Sequence, residues 1–341
     1  MTPPPFATIA PMRLLFLGSG EFGLPTLQSL ARAHQIVGVV TQPDRPAGRG
    51  RGLTPTPIGA WTAANLPTTP LVKPENINDP AVVAHVRAIA APPHALAWVV
   101  IAFGQKLGRP LLQSIFAINL HASLLPRWRG AAPINAAILA GDRATGNTVI
   151  TLADRMDAGE ILAQSTRTIE PMHTAGTLHD ALSADGPALV ERVLADHAAG
   201  TLGRRSQDES LATKAPKLSK ADGWIDLSQP ADHCRWRVHA LTPWPGVTLR
   251  LAAPGFEQEL KVTLVRDVPS NDRGRVDARL PPDAQPGTLV DPALGLVQCG
   301  QGTLLRLLMV TPPGKRSMAW GQFVQGRAIP AATRVIGGQP A

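Results

Sequence analysis

The chain of 341 residues has no tyrosine, only two cysteines and few aromatic residues of any kind, at 4% of the total. The cysteines, Cys234 and Cys299, are too few for a disulfide framework and lack the spacing of metal ligands. The longest apolar run, residues 95–103, covers nine positions, whereas a membrane helix needs about 20 apolar residues. The N-terminal stretch lacks the basic-then-apolar order of a signal peptide. We therefore expect no membrane span, no metal site and a reducing compartment such as the cytoplasm.

Positive charge exceeds negative charge, and most of the excess lies toward the C-terminus. The net charge of the chain is +8. Residues 1–209 hold 17 Lys and Arg against 15 Asp and Glu, a net of +2, whereas residues 210–341 hold 16 against 10, a net of +6. This excess favours a polyanionic partner such as a nucleic acid, and it is equally compatible with a basic enzyme that has no such partner.

Apolar periodicity predicts an α/β domain at the start of the chain. Residues 13–17 form a short apolar run typical of a buried strand, residues 24–33 have helical spacing, and residues 35–40 form a second buried strand. A strand, a turn, a helix and a strand in this order open a parallel α/β domain. Helical and strand-like segments then alternate to about residue 200.

The composition and the apolar pattern of the sequence change after this α/β region. Residues 204–223 are polar and basic and are the best candidate for a linker. Residues 224–330 contain one predicted helix, near residues 231–241, and several short strand-like runs broken by proline and glycine. Short strands of this kind are typical of a small β-barrel. We therefore predict an α/β domain at residues 12–203, a linker and a C-terminal β-barrel domain.

The turn after the first strand, GSGEFG at residues 18–23, matches the dinucleotide fingerprint G-x-G-x-x-G. Asp44 lies near the distance expected for the acid that binds a ribose. That acid normally ends the second strand, where this chain has Thr41 and Gln42, and Asp44 follows Pro43 in a loop. We therefore expect the glycines to serve close packing, and we expect no nicotinamide cofactor. An NAD-dependent oxidoreductase is kept as an alternative.

A basic loop follows the second strand. The sequence TQPDRPAGRGRGLTPTP, residues 41–57, carries Arg45, Arg49 and Arg51 among glycines and prolines and has no apolar period. Loops at this edge of an open α/β sheet commonly bind ligands, and arginine suits contact with phosphate. We predict a mobile loop that contacts a polyanion; a solvated linker is the alternative.

Three polar residues in the middle of the chain form a candidate catalytic set. Asn119 and His121 are two positions apart, so both side chains leave the same face of an extended segment, and Asp157 lies close to Gly159. An imidazole titrates near neutral pH, a carboxylate can orient it, and an amide can stabilise a developing oxyanion. Ser123 lacks the strand–elbow–helix setting of a nucleophile. The set therefore indicates transfer between two bound substrates; three unrelated structural polar groups are the alternative.

The block NLHASLLPRWRGAAPI, residues 119–134, closely resembles a motif of the 10-formyltetrahydrofolate-dependent formyltransferases. Further matches are GSGEFG, the loop TQPDRPAGRGRGL, AFGQ at residues 102–105 and MDAGEI at residues 156–161. Weaker matches extend the resemblance to nearly the whole chain, from Met12 to about Phe323. Within the family, the chain is most similar to members that act on methionyl-tRNA.

The resemblance implies a Rossmann-like formyltransferase domain followed by an OB-like β-barrel that helps to hold tRNA. It implies transfer of a formyl group from 10-formyltetrahydrofolate to initiator methionyl-tRNA by a cytoplasmic enzyme, which we expect to be a monomer. It assigns catalysis to Asn119, His121 and Asp157. It assigns tRNA contacts to Arg45, Arg49 and Arg51, and folate contacts to Ala102, Phe103, Gly104, Gln105, Ser123, Leu124, Leu125 and Pro126.

The chain departs from the family pattern at Phe103 and at residues 224–227, where the tryptophan of the family's Ile-Asp-Trp is displaced. Two alternatives to the family's tRNA activity stay open. Phe103 stands where the family usually has tyrosine, which argues against a side-chain hydroxyl role there. A formyltransferase acting on glycinamide ribotide or an amino sugar would need neither the basic loop nor the second domain. A non-catalytic RNA-binding module would bind RNA without transferring a formyl group.

Overall fold

The computed structural model describes residues 10–47, 52–91, 97–268, 284–330 and 332–338. Contacts group the chain into two compact units, each assembled from three stretches of sequence. The first unit comprises Met1–Gly130, Thr145–Arg167 and His179–Lys214, and the second comprises Ala131–Ala144, Thr168–Leu178 and Ala215–Ala341. The predicted domain bounds at residues 203 and 224 stay a prediction.

Strands and helices alternate before residue 216, as the apolar pattern predicts. The strands are β1 (Arg13–Gly18), β2 (Gln35–Val40), β3 (Arg45–Ala47), β4 (Gly52–Thr54), β5 (Leu71–Val72), β6 (Ala97–Ile101), β7 (Ala117–His121), β8 (Arg129–Gly130), β9 (Ala144–Thr151), β10 (Ile161–Thr168) and β11 (Lys214–Ala215). The helices are α1 (Leu24–Ala33), α2 (Pro57–Asn65), α3 (Pro80–Ile89), α4 (Arg109–Leu112), α5 (Pro133–Leu139) and α6 (Ala175–Ala198). Proline occupies the first or second position of α1 to α5, where its missing N–H costs no helical hydrogen bond.

The core of the first unit is a seven-stranded sheet with the strand order β10-β9-β7-β6-β1-β2-β5. The neighbours from β7 to β5 are parallel, and β9 joins β7 in the antiparallel sense. All of β6 and nearly all of β1 are buried. Continuous burial of this kind is expected of parallel strands covered on both faces. The prediction of an α/β fold with a Rossmann-like sheet is confirmed.

The glycine-rich turn after β1 is held by close packing. A Cβ atom on Gly18 would lie 2.8 Å from the carbonyl oxygen of Ile101, so only glycine fits beside β6. The Ser19 hydroxyl accepts a hydrogen bond from the Gln42 backbone N–H at 3.0 Å and donates one to the Phe103 carbonyl at 3.1 Å. This turn therefore joins the carboxyl ends of three neighbouring strands, in line with the packing role expected of it.

The described part of the basic loop contains two short strands that the sequence pattern does not indicate. Arg45–Ala47 and Gly52–Thr54 pair as the antiparallel strands β3 and β4. No apolar period marks β4 because all of its residues are exposed, including Leu53. Residues 48–51, which include Arg49 and Arg51, lie outside the described residues.

The second unit contains an antiparallel sheet that nearly closes on itself. Its strands are β12 (Val247–Ala253), β13 (Phe256–Val268), β14 (Leu289–Asp291), β15 (Leu296–Gln298), β16 (Leu304–Thr311), β17 (Met318–Ala319) and β18 (Arg334–Ile336), and its helices include α7 (Ala231–Ala240) and α8 (Trp320–Val324). The strand order is β14-β15-β16-β13-β12-β18, with β17 paired to β16. A bridge between Thr288 and Arg334 connects the two ends of this order, as expected of a barrel rather than an open sheet.

The barrel interior has the alternation of an antiparallel sheet with one buried face. Val247, Leu249 and Leu251 are buried, while Thr248 and Arg250 between them are exposed. The predicted β-barrel is confirmed, although β17, β18 and α8 were not predicted because these elements are too short to show a period. No helix within the described ranges is long and apolar enough to cross a membrane.

Candidate active site

Strand β7 places Asn119 and His121 at the carboxyl end of a central strand. Asn119 lies opposite Val100 of β6 and Ile150 of β9. Because residues two apart on a strand share a face, the amide and the imidazole leave the sheet on the same side. Open α/β sheets bind their ligands at the carboxyl ends of the strands. The two side chains therefore stand where the fold places a ligand site.

The imidazole of His121 is buried and has one nitrogen committed to the backbone. Its Nε2 atom lies 2.9 Å from the carbonyl oxygen of Trp128. A carbonyl oxygen only accepts hydrogen bonds, so Nε2 carries a proton in this arrangement. The other nitrogen, Nδ1, faces the Oδ2 atom of Asp157 at 3.7 Å. The structure thus brings together two of the three predicted catalytic residues, with Nδ1 directed at the carboxylate.

Asp157 is held by its backbone and by one strong acceptor contact. Its φ angle is +54°, in the left-handed region that aspartate tolerates better than most residues. Its Oδ2 atom accepts a hydrogen bond from the Gly130 N–H at 2.9 Å. Two residues on, a Cβ atom at Gly159 would lie 1.7 Å from the Thr151 carbonyl oxygen. The turn that presents the carboxylate therefore requires glycine at position 159.

Asn119 differs from His121 and Asp157 because its side chain has no hydrogen-bond partner among the described residues. The residue is half-buried, and none of the residues that the structure describes forms a hydrogen bond with its side chain. An amide that is partly withdrawn from water and unpaired can donate to an incoming oxygen without first breaking another bond. Amide, imidazole and carboxylate together provide one free donor and one group able to move a proton.

The loop after β7 is fixed to β9 and β10 by hydrogen bonds. Thr148 donates from its hydroxyl to the Ser123 carbonyl at 2.6 Å and accepts from the Leu125 N–H at 3.1 Å. Gln164 donates to the Leu125 carbonyl at 3.0 Å. The buried Ser123 hydroxyl donates to the Arg127 carbonyl at 2.7 Å, so this side chain holds the loop. The folate contacts assigned to Ser123, Leu124, Leu125 and Pro126 stay a prediction.

The segment after β6 leaves the same edge of the sheet, because β6 and β7 are parallel neighbours. Ala102 and Gly104 have φ angles of +47° and +87° and are exposed, whereas Phe103 is buried. The Gln105 side chain accepts from the Ile77 N–H at 2.8 Å and donates to the Pro74 carbonyl at 3.1 Å. The exposed backbone of this segment is therefore its part available to a ligand, and the predicted folate contacts remain untested.

The described part of the basic loop carries paired charges. Arg45 lies 2.6 Å from Glu75, and both side chains are largely exposed, so their pairing contributes about 0–1 kcal/mol and leaves Arg45 available to a partner. Asp44, the candidate acid of the dinucleotide motif, forms an ion pair with Lys73 at 2.6 Å. Within the described residues, no group of three His, Cys, Asp or Glu side chains is placed to hold a metal ion.

Two residues of the predicted linker contact the site and were not predicted to do so. Thr213 accepts a hydrogen bond from the Trp128 N–H in the loop after β7. Gln207 donates hydrogen bonds to the carbonyls of Asp157 and Gly159 in the turn before β10. A polar residue in a polar segment has no distinguishing signal in a single sequence. Only the folded structure shows that these two residues form hydrogen bonds with the loops around His121.

Residues 12–194 match the formyl transferase family, and residues 217–328 match the C-terminal domain of formyl transferases. The chain belongs to the formyl transferase family. It is similar to the methionyl-tRNA formyltransferase of Methylococcus capsulatus, 38% identical over 322 residues, which cover 93% of this chain and 98% of that protein. The methionyl-tRNA formyltransferase of Thiobacillus denitrificans is 39% identical over 329 residues, covering 95% and 99%.

Similarity to solved structures supports the same fold. HypX from Aquifex aeolicus, determined in complex with tetrahydrofolic acid, aligns with 92% of this chain and 47% of that one at a TM-score of 0.58. The two sequences are 15% identical, so this likeness concerns the fold alone. The family predicted from the sixteen-residue block and its companion motifs is confirmed.

Proposed function

We propose that this protein transfers the formyl group of 10-formyltetrahydrofolate to the α-amine of initiator methionyl-tRNA, giving N-formylmethionyl-tRNA for translation initiation in the cytoplasm. The observation that carries the proposal is the cluster of Asn119, His121 and Asp157 at the end of β7. It occurs in a chain that matches methionyl-tRNA formyltransferases over 93% or more of its length. We propose that the enzyme acts as a monomer.

The substrates provide the nucleophile and the formyl carbon, so the protein needs no nucleophilic side chain. The free α-amine has a pKa of about 8, which leaves a useful unprotonated fraction near neutral pH. Its nitrogen bonds to the formyl carbon, the bond from that carbon to the folate nitrogen breaks, and the proton lost by the amine ends on the departing nitrogen. The site must therefore stabilise charge on the formyl oxygen and carry one proton.

The uncommitted Asn119 carboxamide suits the first task. Its amide group is a donor with no competing partner among the described residues, and it stands at the ligand-binding edge of the sheet. We assign it to the formyl oxygen as charge develops. A neutral amide cannot titrate, so its contribution does not depend on pH.

His121 and Asp157 suit the second task. The Nε2 proton is held by the Trp128 carbonyl, so proton exchange takes place at Nδ1, the nitrogen that faces Asp157. The Asp157 carboxylate lies on the Nδ1 side of the ring and can hold the imidazole in this orientation. A protonated Nδ1 can also donate to the formyl oxygen, and this pair would return the proton to the departing nitrogen.

Binding of the two substrates is assigned to loops at the same edge. The exposed backbone at Ala102 and Gly104 and the anchored loop from Ser123 to Pro126 are the proposed folate contacts. The arginines of the basic loop, Arg45, Arg49 and Arg51, are the proposed contacts to tRNA phosphate, since phosphate contacts dominate affinity for nucleic acids.

An assay of formyl transfer from 10-formyltetrahydrofolate tests the proposal. Initiator methionyl-tRNA, elongator methionyl-tRNA, glycinamide ribotide and an amino-sugar nucleotide would be supplied as separate acceptors. We expect transfer to the initiator tRNA above the other three. Transfer to a small amine in preference to both tRNAs would overturn the tRNA assignment and keep the family chemistry.

A further inference from the structure

Residues 207–213, here called the strap, form hydrogen bonds with two loops. These loops carry Trp128 and Asp157, the two partners of His121. Gln207 donates from its amide nitrogen to the carbonyl oxygens of Asp157 and Gly159, at 2.7 Å each. At the other end of the strap, the Thr213 hydroxyl accepts from the Trp128 N–H at 2.9 Å. The strap therefore contacts the residue that presents the carboxylate and the residue whose carbonyl orients the imidazole.

Arg129 determines how the Gln207 amide is turned. Its Nε and Nη2 atoms donate to the Oε1 atom of Gln207 at 3.0 and 2.8 Å. Because a guanidinium only donates, it must meet the oxygen of the amide, and the nitrogen is left to face the two carbonyls. Arg129 is itself paired with Glu209 of the strap at 3.0 Å. Arg129 therefore holds the oxygen of the Gln207 amide, which directs the amide nitrogen toward the turn.

The turn that accepts the two Gln207 hydrogen bonds contains a residue in an unfavourable backbone conformation. Asp157 lies at a φ angle of +54°, and residues in sparsely populated backbone regions persist when their surroundings hold them there. The two carbonyls flank residue 158, so a single amide fixes the chain on both sides of it. On the other flank of the turn, Arg155 pairs with Glu209 at 2.8 Å.

We propose that Gln207 is a positioning residue that sets the placement of the Asp157 carboxylate opposite His121. The inference rests on the formyl transfer proposed above, and it adds a residue outside the Asn119, His121 and Asp157 set. The carboxylate is aimed by its backbone and by the Gly130 N–H. Loss of the two Gln207 hydrogen bonds releases that backbone, and the distance from the carboxylate to Nδ1 is no longer held.

Steady-state kinetics of the full-length protein test the role with two substitutions of nearly equal size. Gln207→Glu keeps an oxygen for Arg129 and removes both donors to the carbonyls. Gln207→Met removes the donors without adding charge. For both variants we expect kcat to fall about 10- to 100-fold, the scale of a misplaced catalytic group, while KM for each substrate stays within about twofold because uniform binding is intact.

Ser210→Ala is the matched control on the same strap. Ser210 forms hydrogen bonds with Asp208 and none with the turn, so we expect its kcat to equal that of the wild type. A thermal melt of each variant separates a folding defect from a positioning defect. If Gln207→Met melts with the wild type and retains full kcat, the proposal is overturned.

A double substitution adds a readout that a purely structural role would not move. If Gln207 acts through Asp157, Gln207→Met should cost almost nothing further in an Asp157→Ala background. Full additivity of the two losses would overturn the proposal. Failure of the wild type to formylate methionyl-tRNA would instead count against the proposed function. A crystal structure of Gln207→Met would still decide the positioning claim, by showing whether the Asp157 carboxylate has moved.

Discussion

His121 donates a hydrogen bond from Nε2 to the carbonyl oxygen of Trp128 at 2.9 Å, and Trp128 has a φ angle of +65°. This single contact decides which ring nitrogen is left to face Asp157. Because the carbonyl oxygen can only accept, Nε2 carries the proton of this hydrogen bond, and Nδ1 is the nitrogen that faces Asp157. A sharp backbone turn therefore assigns the tautomer of the proposed catalytic histidine.

The free carboxamide of Asn119 leads to a prediction for kcat. Asn119→Ala should lower kcat by about 10²- to 10³-fold, the usual loss when one donor to an oxyanion is removed. KM for 10-formyltetrahydrofolate should change little, because the donor acts on charge that develops during reaction. Asn65→Ala, an exposed asparagine at the end of α2, is the control. Turnover of Asn119→Ala near that of the wild type would exclude the oxyanion role.

The basic loop leads to a prediction for salt dependence. Arg49→Ala should raise KM for methionyl-tRNA and reduce the slope of log K against log[salt] by about one, the value for one lost phosphate contact. Arg32→Ala is the control, because Arg32 is an exposed arginine in the last turn of α1 and lies outside the basic loop. It should leave both KM and the salt slope unchanged. Binding would be measured by titration of tRNA at several salt concentrations. An unchanged slope for Arg49→Ala would remove this arginine from the tRNA interface.

Gly159 leads to a prediction for stability and activity together. A Cβ atom at this position would lie 1.7 Å from the Thr151 carbonyl oxygen, so Gly159→Ala must displace the turn that presents Asp157. We expect a loss of about 1–3 kcal/mol in the free energy of unfolding, typical of overpacking, and a fall in kcat. Gly203→Ala is the control, because nothing lies within 4 Å of a Cβ atom there. Urea denaturation and the transfer assay would be run on the same preparations, and wild-type behaviour of Gly159→Ala would contradict the packing.

His239, in the second unit, leads to a prediction for pH. Burial, with a smaller contribution from Arg235, lowers the pKa of His239 from 6.5 to about 4, and its Nε2 atom accepts the Val265 N–H at 3.2 Å. Since the folded pKa lies below the unfolded value, the unfolded chain binds the proton more readily. The stability contributed by neutral His239 is complete above pH 6.5 and is lost as the pH falls toward 4, by at most about 3 kcal/mol.

Urea denaturation at pH 7 and pH 5 would measure this loss. His239→Gln should unfold with a smaller difference between the two pH values, because glutamine does not titrate. His233→Gln on the exposed side of the same helix should retain the wild-type difference. Equal pH dependence in both variants would show that His239 is not the titrating group.

Local patterns in the sequence were enough for the fold class and for part of the site. Buried strands such as β1 and β6 are short apolar runs, and the residues around them show helical spacing, so periodicity alone predicts the α/β region. The two-residue spacing of Asn119 and His121 is sufficient to place both on one face of an extended strand. The loops rich in proline and arginine, together with the sixteen-residue block, were sufficient to predict the family.

How these parts meet depends on contacts between residues far apart in the chain. Such contacts include the 3.7 Å separation of His121 and Asp157, the reach of Gln207 across 50 positions to Asp157 and the bridge from Thr288 to Arg334 that closes the barrel. No local propensity encodes them, because the entropy of closing a long loop is overcome only by the packing of the whole unit. Local pattern therefore specifies which strand carries the amide and the imidazole, whereas the folded chain alone brings a polar strap to the turn that holds the carboxylate opposite them.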